Sequence, residues 1–247
     1  SVMSHVAHTY FAGMMATIPL VFKSCFFTAL LICVLDRPKR IRHLVQLMIA
    51  MIVVMAVHAL LQELRGYGLK GHPPIRIGPF GGNPAYTRSY FFGIFGDPND
   101  LAQILAVGVP LCFVVFRKKN IFSFAISCGL AAFLIRAVFS THSRGGMIGL
   151  VATLGVMAIL LFPARWVPWM LLAAIVGGLL LCPLASPIID ESAHDRIMLW
   201  GQANWAFKST PIFGIGTNMI DEYTFESKAV HNAYVLCYTE IGVFGYW

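Results

Sequence analysis

Long apolar runs alternate with short polar breaks along this chain, and the runs have the length of membrane spans. A hydrocarbon core about 30 Å thick requires roughly 17 to 25 apolar residues of helix, and about seven runs meet or approach that length by hydropathy. They lie near 17–35, 44–62, 100–116, 121–140, 146–162, 167–185 and 232–247. The two long breaks differ in kind. Residues 63–99 hold Gly66, Gly68, Gly71, Pro73, Pro74, Gly78, Pro79, Gly81, Gly82 and Pro84, a density that opposes helix and predicts an irregular, re-entrant connection. Residues 186–230 hold one amphipathic helix near 193–207. Ser192 and Asp195 are spaced as its capping pair; Arg196, Trp200, Ala203 and Phe207 recur on one face; the segment from Lys208 to Pro211 ends it.

Composition agrees with the periodicity: 58% of residues are hydrophobic and 12% charged, with a mean hydropathy of +0.74, against about a quarter charged in soluble domains. The expected fold is an all-α, multi-pass integral membrane helical bundle, a single membrane domain over 1–247. It begins at Ser1 and stops at Trp247 within an apolar run, which reads as incomplete at both ends. The net charge of +7 does not indicate nucleic acid, because the basic residues lie in short loops and form no basic face. Instead they orient the chain. Arg37, Lys39, Arg40 and Arg42, and Arg117-Lys118-Lys119, mark cytoplasmic turns under the positive-inside rule. Alternation then puts 63–99, 141–145 and the 186–230 loop on the extracytoplasmic side, where every polar constellation of interest falls. Cys25, Cys33, Cys112, Cys128, Cys182 and Cys237 sit in or against apolar runs without Cys-x-x-Cys spacing, and read as small buried hydrophobes.

Several outer-face residues suit chemistry, each with a plainer alternative. Arg144, in the turn Ser143-Arg144-Gly145-Gly146, offers a planar fork to phosphate oxygens; Arg136 lies about two helical turns earlier. Lys23 is similarly placed in the first run. The alternative for all three is snorkelling to lipid phosphate. Arg196, beside His194 and Asp195, suits an anion or a surface ion network. Asn99 suits a ligand or a helix cap. Gly214 and Gly216 suit a phosphate loop or a turn after Pro211. His231, with Asn232 beside it before the last run, suits a proton acceptor or a polar boundary residue. A zinc site from His142, His194 and His231 lacks the usual ligand spacing, so no metal is assigned.

Taken in order, Gly96-Asp97-Pro98-Asn99, Ser143-Arg144-Gly145-Gly146, Arg196-x-x-x-Trp200, Pro211-x-x-Gly214-x-Gly216, His231-Asn232 and Glu240-x-Gly242 resemble the O-antigen ligase and O-antigen polymerase family, over roughly residues 90–247. Asp97 and Pro98 vary the family's usual approach to Asn99. The resemblance implies a GT-C-like glycosyltransferase of the bacterial inner membrane, with its active site facing the periplasm or exterior. Its donor would be a polyprenyl-pyrophosphate-linked glycan. The acceptor would be a hydroxyl of a glycan, of lipid A-core or of a protein. Transfer would be inverting and metal-independent, with no cofactor. By the same resemblance Arg144 and Arg196 would hold the pyrophosphate and His231 would orient or deprotonate the acceptor. Asn99, Asn232 and Arg136 complete the substrate-binding candidates, and membrane lipids are the remaining partners. The alternative is a transporter or flippase for a small anion or lipid-linked substrate. It is disfavoured because the runs hold few midplane charges and few Gly/Pro-broken pairs.

Overall fold

The computed structural model describes residues 2–78, 85–115, 121–161, 163, 165–181, 188–224, 230 and 232–246. Its elements in chain order are α1 (Val2–Ala7), α2 (Phe11–Val34), α3 (Pro38–Arg65), β1 (Ile75–Ile77), β2 (Tyr86–Arg88), α4 (Pro98–Val115), α5 (Ile121–Ser140), α6 (Arg144–Leu161), α7 (Val167–Leu181), α8 (Ile188–Ser209), α9 (Ile220–Tyr223) and α10 (Ala233–Tyr246). Among the described residues the protein is all-α apart from one short hairpin. Among the described residues three helices, α2, α3 and α5, are long and apolar enough to cross a membrane. The other expected spans are apolar but shorter. The 15 residues of α7 rise about 22 Å at 1.5 Å per residue, less than a hydrocarbon core, and residues 182–185 of that expected run lie outside the described residues. α10 is broken at Gly242.

Helix ends follow local chemistry. Pro38 takes the first position of α3 after extended Arg37, and Gly66 closes it in the left-handed conformation, its N–H returning to the Gln62 carbonyl; proline fits a first turn that lacks partners for its N–H groups, and glycine fits the left-handed cap. α8 starts at Ile188, earlier than expected, so Ser192 and Asp195 lie inside it and do not begin it.

Where the sequence reads as one membrane domain, the chain packs as two compact units. One comprises residues 37–186 and the other residues 1–36 together with 187–247. In the first, called here the bundle unit, α4 is central and packs on α3, α5 and α6, with α7 against α6. Its core combines Ile52, Ala56 and Ala59 with Leu101, Leu105, Val109, Leu134 and Val138. Small residues set the spacing. A Cβ on Gly108 would lie 2.8 Å from both Ile52 and Leu134, and one on Gly146 would collide with Ala102, so α4 approaches its neighbours closely, the usual device where lipid supplies no hydrophobic drive between helices.

The connection expected to be irregular contains the β1–β2 hairpin, antiparallel with Ile75 opposite Arg88 and Ile77 opposite Tyr86. Its strands are the stretches in which β-branched and aromatic residues outweigh glycine. Polar side chains of α3 hold the connection to the end of the bundle. Gln62 donates to the carbonyls of His72 and Pro73 at 3.3 Å and accepts the Tyr90 N–H at 3.0 Å. The buried His58 ring accepts the Leu69 N–H at 2.9 Å, and the Ser89 hydroxyl donates to the Ala59 carbonyl at 2.9 Å. Each satisfies a backbone group that would otherwise be costly to bury.

The other unit, called here the terminal unit, packs α8 and α10 with α1. Ala203, Ala206, Ile215, Ile220, Val230 and Val235 form its core. α2 adds an apolar helix of which Gly13 and Thr17 are the buried residues.

Candidate functional site

In the bundle unit, two of the sequence motifs meet. Asp97 caps α4: its Oδ1 accepts the Asn99 N–H at 2.6 Å, and Pro98 follows in the first position. Capping by Asp97 leaves the Asn99 side chain for another use. Its Oδ1 accepts the Ser143 hydroxyl at 2.7 Å and Arg88 Nη2 at 3.2 Å. Ser143 in turn caps α6, its Oγ accepting the Gly146 N–H at 3.0 Å. Arg88 Nε donates to the Thr141 carbonyl at 3.1 Å, and the Ser89 N–H donates to the Ser140 carbonyl at 3.1 Å. Ser143 and Thr141 are fully buried, while Arg88 and Asn99 are half-buried, so the joint is partly open to water and its Arg88 bonds are charge-assisted but partly screened.

The N-termini of α4 and α6 therefore adjoin each other, with Arg144 half-buried at the first position of α6 and Gly145 open beside it. The α6 end, capped by a neutral serine, keeps the positive end of its dipole, whereas Asp97 and Asp100 offset that of α4. Arg136, further along α5, has its guanidinium fork on Glu63: Nη1 and Nη2 lie 2.9 Å from the two carboxylate oxygens. With Arg136 52% exposed and Glu63 28%, the pair contributes at most about 1 kcal/mol to stability. An anion reaching Arg136 would have to compete with that carboxylate.

His142 lies in the same turn in a left-handed conformation (φ 49), with its ring packed on Tyr86 at 5.3 Å. Desolvation lowers its pKa below the usual imidazole value; Glu63 opposes this, and the charges of Arg88 and Arg136 reinforce it. The ring is therefore neutral at pH 7 and adds no fixed charge to the cationic face.

In the terminal unit, Arg196 is exposed on α8. One turn on, half-buried Trp200 donates its indole N–H to the Val230 carbonyl at 3.0 Å, which anchors the residue preceding His231. His231 itself lies outside the described residues. Asn232 caps α10, its Oδ1 accepting the N–H groups of Tyr234 at 3.0 Å and Val235 at 3.2 Å.

The two glycine motifs of this unit form one backbone crossing. Ile215 and Gly216 donate N–H bonds to the carbonyls of Thr239 and Glu240, both at 2.9 Å, and the Val243 N–H returns to the Pro211 carbonyl at 3.0 Å. The Glu240 carboxylate accepts the Asn218 N–H at 2.9 Å, and from α1 Ser4 donates to the Glu240 carbonyl at 2.9 Å. A Cβ at Gly214 would collide with Glu240, and one at Gly242 with Ile212. Gly214-x-Gly216 is thus a steric requirement of chain packing, a turn built for contact with Glu240-x-Gly242.

Gly242→Ala should destabilise this unit by on the order of 3 kcal/mol, since its φ 68, ψ −171 is a region essentially restricted to glycine and the added methyl meets backbone. Gly201→Ala, in open space on α8, should be neutral or mildly stabilising. Thermal unfolding in detergent compares them; equal stability of the two variants would refute the steric reading.

Sequence reasoning missed Arg88, Glu63, Ser4 and the role of α1. The signal for Arg88 was the strand-like Tyr86-Thr87-Arg88, obscured by the surrounding glycines and prolines. Among the described residues no group of three or more His, Cys, Asp or Glu side chains is placed to hold a metal ion. No family model, curated protein or solved structure matches the chain.

Proposed function

We propose that the protein is a GT-C-like membrane glycosyltransferase with about seven spans, acting at the extracytoplasmic face of the bacterial inner membrane on a polyprenyl-pyrophosphate-linked glycan. The observation that carries this reading is the shared hydrogen bond between two motifs 44 residues apart in sequence. The Asn99 and Ser143-Arg144 segments, singled out by resemblance, lie together, with Arg144 at the N-terminus of α6, which a neutral serine caps. Such a face suits a pyrophosphate held near the membrane surface, and cationic stabilisation of that leaving group is what the reaction needs. A hydroxyl of a glycan, lipid A-core or protein acceptor attacks the anomeric carbon as the carbon–phosphate oxygen bond breaks. Configuration inverts, polyprenyl pyrophosphate departs, and the hydroxyl proton passes to a general base, the role that the resemblance gives to His231.

The test is transfer of a synthetic polyprenyl-pyrophosphate glycan to an acceptor by purified protein in detergent or nanodiscs. Product of inverted configuration is expected, and turnover should be unaffected by EDTA, because arginines rather than a divalent ion neutralise the leaving group. Activity lost to EDTA and restored by magnesium or manganese would overturn the metal-independent part. Transport of the intact donor across a vesicle membrane, with no transfer, would favour a flippase.

A further inference from the structure

We propose that Arg88 is a positioning residue for the donor site, acting on Arg144 through the joint between α4 and the α5–α6 turn. The inference rests on the proposed transferase reading and adds a residue that the motifs did not contain. Three separate elements converge on this guanidinium. It is carried by β2, bonds Asn99 at the start of α4, and bonds the Thr141 carbonyl in the turn that leads into Arg144. Asn99 Oδ1 receives Arg88 and Ser143 together, so the register between the two helix starts depends on both donors. The neighbouring hydrogen bond from Ser89 to Ser140 runs from backbone to backbone, and Arg88 substitutions leave its groups in place.

A planar fork is suited to this duty because Nε and Nη2 reach acceptors on different elements at once. A lysine ammonium, a single point of charge, reaches one or the other. Without the fork, Asn99 keeps Ser143, and the turn keeps the Ser89–Ser140 bond and the Tyr86–His142 ring contact, but it loses the bond at Thr141, two residues before the α6 start that carries Arg144. Misplacement of a binding group by about 1 Å can cost on the order of 10²-fold in rate.

The experiment uses the full chain in nanodiscs with a synthetic polyprenyl-pyrophosphate glycan as donor. Parent, Arg88→Gln, Arg88→Lys and Arg144→Ala are compared for donor KM, kcat and thermal unfolding. Arg88→Gln should raise donor KM about tenfold or more with a smaller change in kcat, and Arg88→Lys should recover little, as expected for a lost bidentate contact. Combining Arg88→Gln with Asn99→Ala should cost clearly less than the product of the single effects, as for residues acting through one joint. If Arg88→Gln does not fold, Arg88→Lys carries the test by itself. Parent-like donor KM in the folded Arg88 variants, with loss in Arg144→Ala, overturns the positioning role alone. Parent-like behaviour in Arg144→Ala as well overturns the donor-site reading beneath it.

Discussion

Arg144→Ala should lower glycan transfer by about 10²- to 10³-fold, the range found when one preorganised group that stabilises developing negative charge is removed. Departure of polyprenyl pyrophosphate places extra charge on the bridging oxygen, and a fixed cation stabilises it more in the transition state than in bound donor. Arg144 is at the first position of α6, after the capping Ser143, so its removal takes away a cation without disturbing the cap. The rate should fall well beyond any change in thermal unfolding, which reports the structural part of the effect. Arg144→Lys should recover only part of the activity, since an ammonium does not reproduce a bidentate phosphate contact. Arg196→Ala, tested separately in the terminal unit, should cost a comparable factor. Parent-like single-turnover rates in both alanine variants would remove the arginines from the mechanism.

His231→Ala should reduce the rate at saturating donor by about 10²-fold or more, as for loss of a general base, with donor binding retained. The parent rate should also fall as pH drops through roughly 6 to 7, because a protonated imidazole cannot accept the hydroxyl proton. Desolvation lowers the pKa of His142 below the usual imidazole value, so its proton uptake is displaced to the acid side of an ordinary histidine. The profile of His231→Gln is the discriminating measurement. Near-parent turnover in this variant, or a pH dependence that persists in it, would show that the residue is a boundary side chain.

How much of this was legible in the sequence varies by element and follows the range of the interaction. Helices with strong local signals appear where hydropathy puts them or contain the expected run: α5 spans Ile121–Ser140, while α3 includes the expected 44–62 and extends beyond it at both ends, from Pro38 to the Gly66 cap, so that Lys39, Arg40 and Arg42 lie in its first turns rather than in a loop. Of the α8 face expected to carry Arg196, Trp200, Ala203 and Phe207, Ala203 is fully buried and Trp200 and Phe207 are half-buried, whereas Arg196 is exposed; helical spacing defines a face but not how far along the helix it is covered. Asn99 shows the opposite case. The string Asp97-Pro98-Asn99-Asp100 offers several capping oxygens, and local chemistry does not choose among them. Asp97 takes the cap, and Asn99 instead meets a serine 44 positions away.

The sequence by itself determined that this is a helical chain with helices of membrane-spanning length, and where its turns and polar clusters fall, since apolar periodicity, caps and breakers act over a few residues. Tertiary structure decided which clusters meet. It brought Arg88 from a glycine- and proline-rich connection onto Asn99 and Thr141, and it interlocked Gly214 and Gly216 with Glu240 and Gly242. Those outcomes depend on close backbone approach and on satisfying buried polar groups between segments distant in the chain. No local pattern encodes either condition, because each partner's requirement exists only once the other is in place.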